Sequence, residues 1–454
     1  MFSAAANLSF LDFLLLPFLL GIIYAVAYRF RNKHYKKNHP WRKYFLPALT
    51  LKIAGAIFIG LVFAYYYGGG DTYYFFYHSQ VINSAMDESF VKWVNLLFHI
   101  PSSDSGEYFN YISQMEWYGD KSSYTVASIA AFISVFTLNT YLPAAVVFAA
   151  ISFTGIWALF RTFAKLYPHL LNSVAIAILF IPSVVVWGSG IFKDTICIFG
   201  LGWLTYGVFR FLIQKDFSAQ NIFLAIMSFL LIAKVKLYIL MGFIPALFMW
   251  VLFNYSQKIK NVQVRLTMKV LMIVISLAAT VFFLQQFSSS LGKYSIDTIA
   301  ETSKTTRDWI LYMSETDAGS GYDLGDFAPT VGGMLSKFPA AINVTLFRPY
   351  IWESRKPIVM LSAIEALLFL FITIKVFVVV GIKQVWNTIS KDPTIQFCLI
   401  FSIIFAFAVG ISTYNFGALS RYKIPCMPFY ALAIILIYYK NIPLKKKLFR
   451  PIGI

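Results

Sequence analysis

Charged side chains are scarce in this chain of 454 residues, of which 13% are charged and 59% hydrophobic, with a mean hydropathy of +0.69. Soluble domains carry about 25% charged residues, so the composition excludes a water-soluble globular protein and predicts a polytopic membrane protein. Acids are the rarer sign, with 20 Asp and Glu against 38 Lys and Arg. In a membrane chain this basic surplus lies in loops and reports orientation, so we expect no nucleic-acid partner.

Cysteines and common catalytic motifs are also few or missing. The three cysteines, Cys197, Cys398 and Cys426, lie in or beside apolar segments and lack metal-ligand spacing. The chain has no Walker A, HExxH, CxxC or GxSxG sequence and no dinucleotide fingerprint with a suitable acid. ATP-driven transport is therefore disfavoured and no metal site is predicted, although the use of a divalent cation stays open.

Eleven apolar windows are long enough to cross about 30 Å of hydrocarbon. They lie near 9–28, 46–66, 142–160, 170–188, 195–213, 220–236, 237–254, 270–287, 358–381, 394–412 and 424–439. A further stretch, 122–138, is apolar but short and rich in Ser and Thr. By itself this stretch fits a span, a re-entrant segment or a surface helix.

The basic loops predict the orientation. Segment 29–44 carries seven basic residues and no acid, so it is expected in the cytoplasm, with the amino terminus outside. Alternation over eleven spans, with 122–138 kept on the outer side, places every short basic loop and the carboxyl terminus inside. These loops hold 22 basic residues and two acids. A spanning 122–138 would invert all the later loops.

The sequence thus predicts an all-α, polytopic transmembrane helical bundle of about eleven spans in the inner (cytoplasmic) membrane, forming a single integral membrane domain over 1–454. Two long external loops, about 67–121 and 288–357, hold seven and eight acids respectively. Their length indicates function, and their many aromatic residues predict interfacial helices.

Ionisable residues at the edges of spans are functional candidates because they are expensive in a bilayer. In the motif GGGDTYYFFYHS at 68–79, Asp71 follows three glycines and could act as a general base or bind a metal, or it could be an exposed turn residue. His78 is more typical of an interfacial hydrogen-bonding residue. Tyr73 and the later Trp352 could stack on sugar rings, although interface anchoring explains both residues as well.

Lysines flank two predicted outer turns. Lys193 and Asp194 begin a helix after a Gly-Ser-Gly break, which suits anion binding, or else Asp194 caps the helix and Lys193 contacts lipid phosphate. Lys234 and Lys236 lie in a very short outer turn, against the usual charge bias, so they are candidates for headgroup contacts.

Arginines on the late outer segments suit phosphate recognition, because the guanidinium group is bidentate and stays ionised. The alternative is that they form structural salt bridges with nearby acids. The residues of this group are Arg348, Glu353, Arg355 and Lys356 in one segment, Glu365 in the ninth span, and Arg421 with Lys423 in another segment.

At these motifs the sequence resembles the GT-C superfamily of bacterial envelope-glycan glycosyltransferases and, more distantly, O-antigen polymerases and ligases. The resemblance implies a polyprenyl-phosphate-linked sugar as donor, an envelope glycan or lipid as acceptor, and transfer on the outer face of the membrane. GGGDTYY at 68–74 would supply the acid, Asp71, and the SRYKIP segment at 420–425 would supply a phosphate contact, Arg421. Asp71 departs from the usual pattern because it follows the second span and stands alone.

The leading hypothesis is sugar transfer in which Asp71 deprotonates the acceptor hydroxyl and Arg421, with Arg348, Arg355 or Lys193, neutralises the departing phosphate. Lys234, Lys236 and Lys423 are further donor-binding candidates. One alternative is a polysaccharide polymerase or ligase that acts on a polyprenyl-pyrophosphate glycan through its arginines. Another is a lipid or polysaccharide transporter, for which no internal repeat is evident.

Overall fold

The computed structural model describes residues 8–286, 298–316 and 320–442. Throughout these ranges the regular elements are helical, and the extended backbone pairs at one isolated antiparallel bridge, between Gly321 and Asn415. The predicted all-α class is therefore confirmed for the described residues.

Twenty α-helices are described, numbered here in chain order. They are α1 Phe10–His34, α2 Arg42–Leu61, α3 Asp71–Glu88, α4 Phe90–Leu97, α5 Phe109–Ile112, α6 Lys121–Phe136, α7 Tyr141–Leu166, α8 Leu171–Leu179, α9 Pro182–Trp187, α10 Lys193–Val208, α11 Ala219–Ser256, α12 Val262–Gln286, α13 Ile299–Thr316, α14 Val331–Ser336, α15 Phe338–Phe347, α16 Pro357–Val380, α17 Ile382–Lys391, α18 Pro393–Thr413, α19 Phe416–Tyr422 and α20 Met427–Asn441. Helices α2 and α10 continue as short π-helices, Val62–Tyr66 and Phe209–Ile213.

Among the described residues, seven helices are long and apolar enough to cross a membrane, or eight if the bent pair α19 and α20 is one span. This supports a membrane protein in contact with lipid. The count of about eleven spans remains a prediction.

Two of the expected spans differ from simple helices. Window 170–188 forms α8 and α9, with a break at Phe180 and Ile181, because Pro182 has no N–H to continue a helix and disfavours helical backbone before it. Helix α11 has non-helical backbone at Lys236, with φ −149° and ψ 74°. Its 38 residues would extend about 57 Å as one straight helix, more than a bilayer core needs. The break coincides with the predicted turn between windows 220–236 and 237–254.

The chain forms two compact units. Unit 1 comprises 1–175, 184–208 and 218–236. In it α7 is central and packs against α1, α2, α6 and α10. At the crossing of α7 and α10, a Cβ placed on Gly202 would lie 1.9 Å from the carbonyl oxygen of Gly155, so only glycine permits this approach.

Helices α3 to α6 of unit 1 pack around an aromatic core. Trp93, Tyr108, Tyr118 and Tyr124 are buried in that core with smaller aliphatic residues. Helix α6, which covers the ambiguous window 122–138, packs against α3 and α4. Its 16 residues extend about 24 Å, less than the thickness of a bilayer core.

Unit 2 comprises 176–183, 209–217 and 237–454. Its central helix α18 packs against α13, α15, α17, α19 and α20. The core of unit 2 is built from stacked aromatic rings, including Trp250 against Phe397 at 4.9 Å between ring centroids. Phe401 and Phe429 extend the same cluster.

Candidate functional site

Asp71 is the first residue of α3 and is half-buried. The three preceding glycines have φ values of 69°, 146° and 129°, in the region that favours glycine. A Cβ on Gly70 would also lie 2.7 Å from the ring of Phe63. The glycines thus make the sharp turn that places the Asp71 carboxylate at the positive end of a helix of 18 residues.

Lys193, the first residue of α10, reaches Asp120 at 3.1 Å between Nζ and Oδ2. Asp120 caps α6, since its carboxylate also accepts hydrogen bonds from the Ser122 amide at 3.0 Å and the Ser123 hydroxyl at 2.5 Å. Burial raises the pKa of Asp120, but the Ser123 hydroxyl and the Lys193 ammonium outweigh it and hold the pKa below its usual value. Lys193 also interacts electrostatically with Asp71.

A second ion pair lies deeper in the same unit. Asp194 and Lys236 form a salt bridge, with 0% and 7% of their side chains exposed. Lys236 is the residue at which α11 breaks, and it also interacts electrostatically with Lys193. We call the five residues Asp71, Asp120, Lys193, Asp194 and Lys236 the acid–lysine cluster. Its exposed side is the Lys193–Asp120 pair, with side chains 20% and 50% exposed.

Aromatic rings lie next to this cluster. Trp117, three residues before Asp120, packs against Tyr74, Phe75 and His78 of α3 at centroid distances of 5.1, 5.3 and 5.7 Å. Tyr73, the predicted sugar-stacking residue, instead is buried and stacks on Tyr141 at 4.1 Å. Its hydroxyl donates to the Gly60 carbonyl at 3.2 Å.

His78 is fully buried, and neither of its ring nitrogens has a hydrogen-bond partner among the residues that the structure describes. Burial lowers the pKa of His78 to about 4, so the ring is neutral at pH 7. Its surroundings are those of a core residue beneath Trp117.

Lys234, the other lysine of the predicted outer turn, has an exposed side chain and lies two residues before the break in α11.

Within the described ranges, no group of three or more His, Cys, Asp and Glu side chains is arranged to hold a metal ion.

In unit 2, Arg348 is engaged by an acid of its own segment. Its Nε lies 3.1 Å from both carboxylate oxygens of Glu353, which also accepts the Tyr350 amide at 2.7 Å. The guanidinium group also lies 5.4 Å from the ring centroid of Phe416. Trp352 is 81% exposed and stacks on Tyr350 at 5.0 Å.

The other predicted basic residues of unit 2 differ in exposure. Arg355 and Lys356 are exposed, whereas Arg421 is partly buried, with its guanidinium 5.7 Å from the ring centroid of Tyr422. Glu365 and Lys423 are both buried, and Glu365 acts electrostatically on Lys423.

The site residues predicted from the sequence therefore fall into two sets. Asp71, Lys193, Asp194 and Lys236 come together in unit 1, whereas the arginines and the Glu365–Lys423 pair belong to unit 2.

Asp120, Lys52 and Arg307 are among the described ionisable residues that have buried or paired side chains and that the sequence does not single out as site residues. Asp120 precedes two serines and an apolar helix, a capping pattern that could have identified it. Lys52 is buried and donates to the Gly188 carbonyl. Arg307 binds Asp323 at 2.8 Å and Asp326 at 2.6 Å, and nothing in their spacing signals this.

Comparisons of this chain with family models, with curated proteins and with solved structures found no match.

Proposed function

We propose that the chain is a membrane glycosyltransferase that moves a sugar from a polyprenyl-phosphate-linked donor to an envelope glycan or lipid acceptor. The observation that supports this proposal best is the acid–lysine cluster, which unites a half-buried carboxylate with a lysine 122 positions away. A base and a cation that interact electrostatically address the two charges that develop during such a transfer.

Asp71 is the proposed general base. A carboxylate at a helix amino terminus lies beside the positive end of the helix dipole and can accept the proton of an acceptor hydroxyl. Asp71 follows the turn at Gly68–Gly70 and is partly exposed.

Lys193 is the proposed contact for the donor phosphate. It is the first residue of α10, where the helix dipole adds to its positive charge. Asp120 pairs with the ammonium in the absence of donor, and the donor phosphate would displace this carboxylate from Lys193. The buried Asp194–Lys236 salt bridge connects the second residue of α10 to α11.

The arginines of unit 2 have a separate place in the proposal. Arg421 carries the family resemblance, and Arg355 is exposed, so both remain proposed contacts for the donor lipid. Arg348 is a weaker candidate, because Glu353 already satisfies its guanidinium group.

The test uses purified protein in liposomes, a polyprenyl-phosphate-linked hexose labelled in the sugar, and lipid and glycan extracts as acceptors. We expect the label in a new product and the release of polyprenyl phosphate. Lys193→Gln should raise the KM for the donor about tenfold or more, because the variant loses a charge-assisted hydrogen bond to the phosphate. Lys121→Gln, at an exposed lysine that begins α6, is the matched control.

Label that crosses the bilayer without a new covalent product would contradict the proposal and favour a transporter. An equal KM for Lys193→Gln and Lys121→Gln would remove Lys193 from the donor site.

A further inference from the structure

Four buried polar atoms of unit 2 have no hydrogen-bond partner among the described residues, and they lie in one region. They are the ammonium of Lys423, the Oε1 atom of Glu365 and the hydroxyls of Ser183 and Ser362. The four residues are each less than 9% exposed, and Lys423 is 0% exposed. Buried polar groups are nearly always satisfied, so four such atoms in one place require an explanation.

The four residues are linked through Glu365. Its Oε2 atom accepts the backbone N–H of Ser183 at 2.7 Å. Ser362 lies three residues earlier on α16, which places it on the same helix face. Lys423 follows α19, at the bend before α20, and interacts electrostatically with Glu365.

The surrounding elements enclose this region. Helix α16 packs along α20, where Thr373 and Tyr430 share a hydrogen bond of 2.8 Å. At the bend, the Cys426 thiol donates to the Lys423 carbonyl at 3.1 Å, and Ser402 of α18 donates to the Cys426 carbonyl at 3.2 Å. The bend and its lysine are thus held by contacts that do not use the ammonium itself.

The donors and acceptors restrict what can bind. The ammonium disfavours a metal cation, and the carboxylate disfavours a free anion, because each would be a like charge in a medium of low dielectric. A molecule that both donates and accepts hydrogen bonds, and that carries no charge, satisfies all four atoms. Water is the smallest such molecule, and buried water commonly makes two to four hydrogen bonds of this kind.

We propose that Glu365, Lys423, Ser183 and Ser362 line an internal water site in which bound water bridges the Lys423 ammonium and the Glu365 carboxylate. The bound water accepts a hydrogen bond from Lys423 Nζ and donates one to Oε1 of Glu365. This site is independent of the proposed glycosyltransferase activity and of the acid–lysine cluster.

The test is the infrared spectrum of the full chain in lipid nanodiscs at neutral pH. In Lys423→Met the lone buried carboxylate should take a proton from water, so a carboxylic acid C=O band should appear. This band should shift in D2O, because bound water exchanges its proton, and should be missing in the double variant Glu365→Gln with Lys423→Met. As a control, Lys92→Met removes the partner of Glu88, whose side chain is 53% exposed, and should produce no such band.

No carboxylic acid band in Lys423→Met, or a band that is unchanged in D2O, would overturn the proposal. If Lys423→Met does not fold, a high-resolution cryo-EM map of the unaltered chain decides instead. Water density within hydrogen-bond distance of Lys423 Nζ and Glu365 Oε1 is expected, and a direct contact between these two atoms would refute the water site.

Discussion

At the scale of single residues, Lys52 is a buried ionisable residue in the middle of α2. Its ammonium donates to the Gly188 carbonyl, which Ser152 also binds at 3.1 Å. Gly188 follows the carboxyl end of α9, where a positive charge is favourable. The desolvation of a lysine opposes this gain, so the methylene chain contributes packing while the charge adds little net stability.

Lys52→Met should therefore preserve or raise the melting temperature, because methionine fills nearly the same volume and buries no charge. Lys52→Ala should lower the stability by about 2–4 kcal/mol through the cavity it leaves. Thermal unfolding in detergent measures both variants. A loss in Lys52→Met as large as that in Lys52→Ala would mean that the ammonium itself stabilises the fold.

His78 makes the stability depend on pH. Burial holds its pKa at about 4 in the folded chain, below the ordinary value of 6.5, so the unfolded chain binds the proton first as the pH falls. Stability should fall between about pH 6.5 and pH 4 and should be unaffected by this group above pH 7. The full effect is about 3 kcal/mol.

His78→Phe keeps a ring beneath Trp117 and should flatten the dependence of melting temperature on pH between 7 and 5. His169→Gln, at an exposed histidine, should leave the slope of the unaltered chain in place. Equal slopes in both variants would show that His78 is not the group responsible.

The sequence identified several candidate site residues but could not pair them. Asp71, Lys193 and Lys236 stand out because charge is rare near spans, and the structure brings these three into one cluster. The partner of Lys193 is Asp120, 73 positions earlier, and no local pattern reports a pairing at that separation. Arg348 is the opposite case, since its partner Glu353 lies within the same short segment.

At the scale of elements, the close crossing of α7 and α10 holds unit 1 together. The approach depends on Gly155 and Gly202, whose backbones touch where any side chain would intrude. Such small-residue contacts let helices pack closely in a membrane, where the hydrophobic effect between helices is weak.

Gly202→Ala should destabilise the chain by at least about 1–3 kcal/mol, because the added methyl group meets backbone that cannot rotate away. Gly21→Ala in α1 is the matched control, since a Cβ there has no atom within 4 Å. Thermal unfolding and yield of the folded protein measure the difference. A Gly202→Ala variant as stable as the unaltered chain would contradict the close approach of the two backbones.

Helix positions were largely predictable, and their interruptions were less so. Hydropathy located the long apolar helices, but window 170–188 is apolar throughout, so its hydropathy could not reveal the break between α8 and α9. Pro182 was the available signal. Lys236, by contrast, stood out because two lysines occupy a short turn, and the backbone breaks at that residue.

For the whole molecule, the distribution of charge predicts which side each loop faces. All three native cysteines are buried, so engineered cysteines can be labelled with little background. Ser103→Cys in the loop 67–121 should react with a membrane-impermeant maleimide in intact cells. Lys36→Cys in the segment 29–44 should react only after the membrane is opened, because that segment is predicted to be cytoplasmic.

Both positions are exposed, so access is limited only by the bilayer. The reverse labelling pattern would invert the topology and would place Asp71 on the cytoplasmic side, where the proposed external transfer could not occur.

The central claim is that Asp71 is the base of a sugar transfer. Its most direct test is the rate of transfer at saturating polyprenyl-phosphate-linked hexose, measured for Asp71→Asn and for Asp87→Asn. Asp87 lies on the same helix with an exposed side chain, so it controls for the loss of a carboxylate from α3. We predict a rate lower by about 10²–10⁴-fold for Asp71→Asn and an unchanged rate for Asp87→Asn. Transfer by Asp71→Asn at the rate of the unaltered chain would contradict the claim.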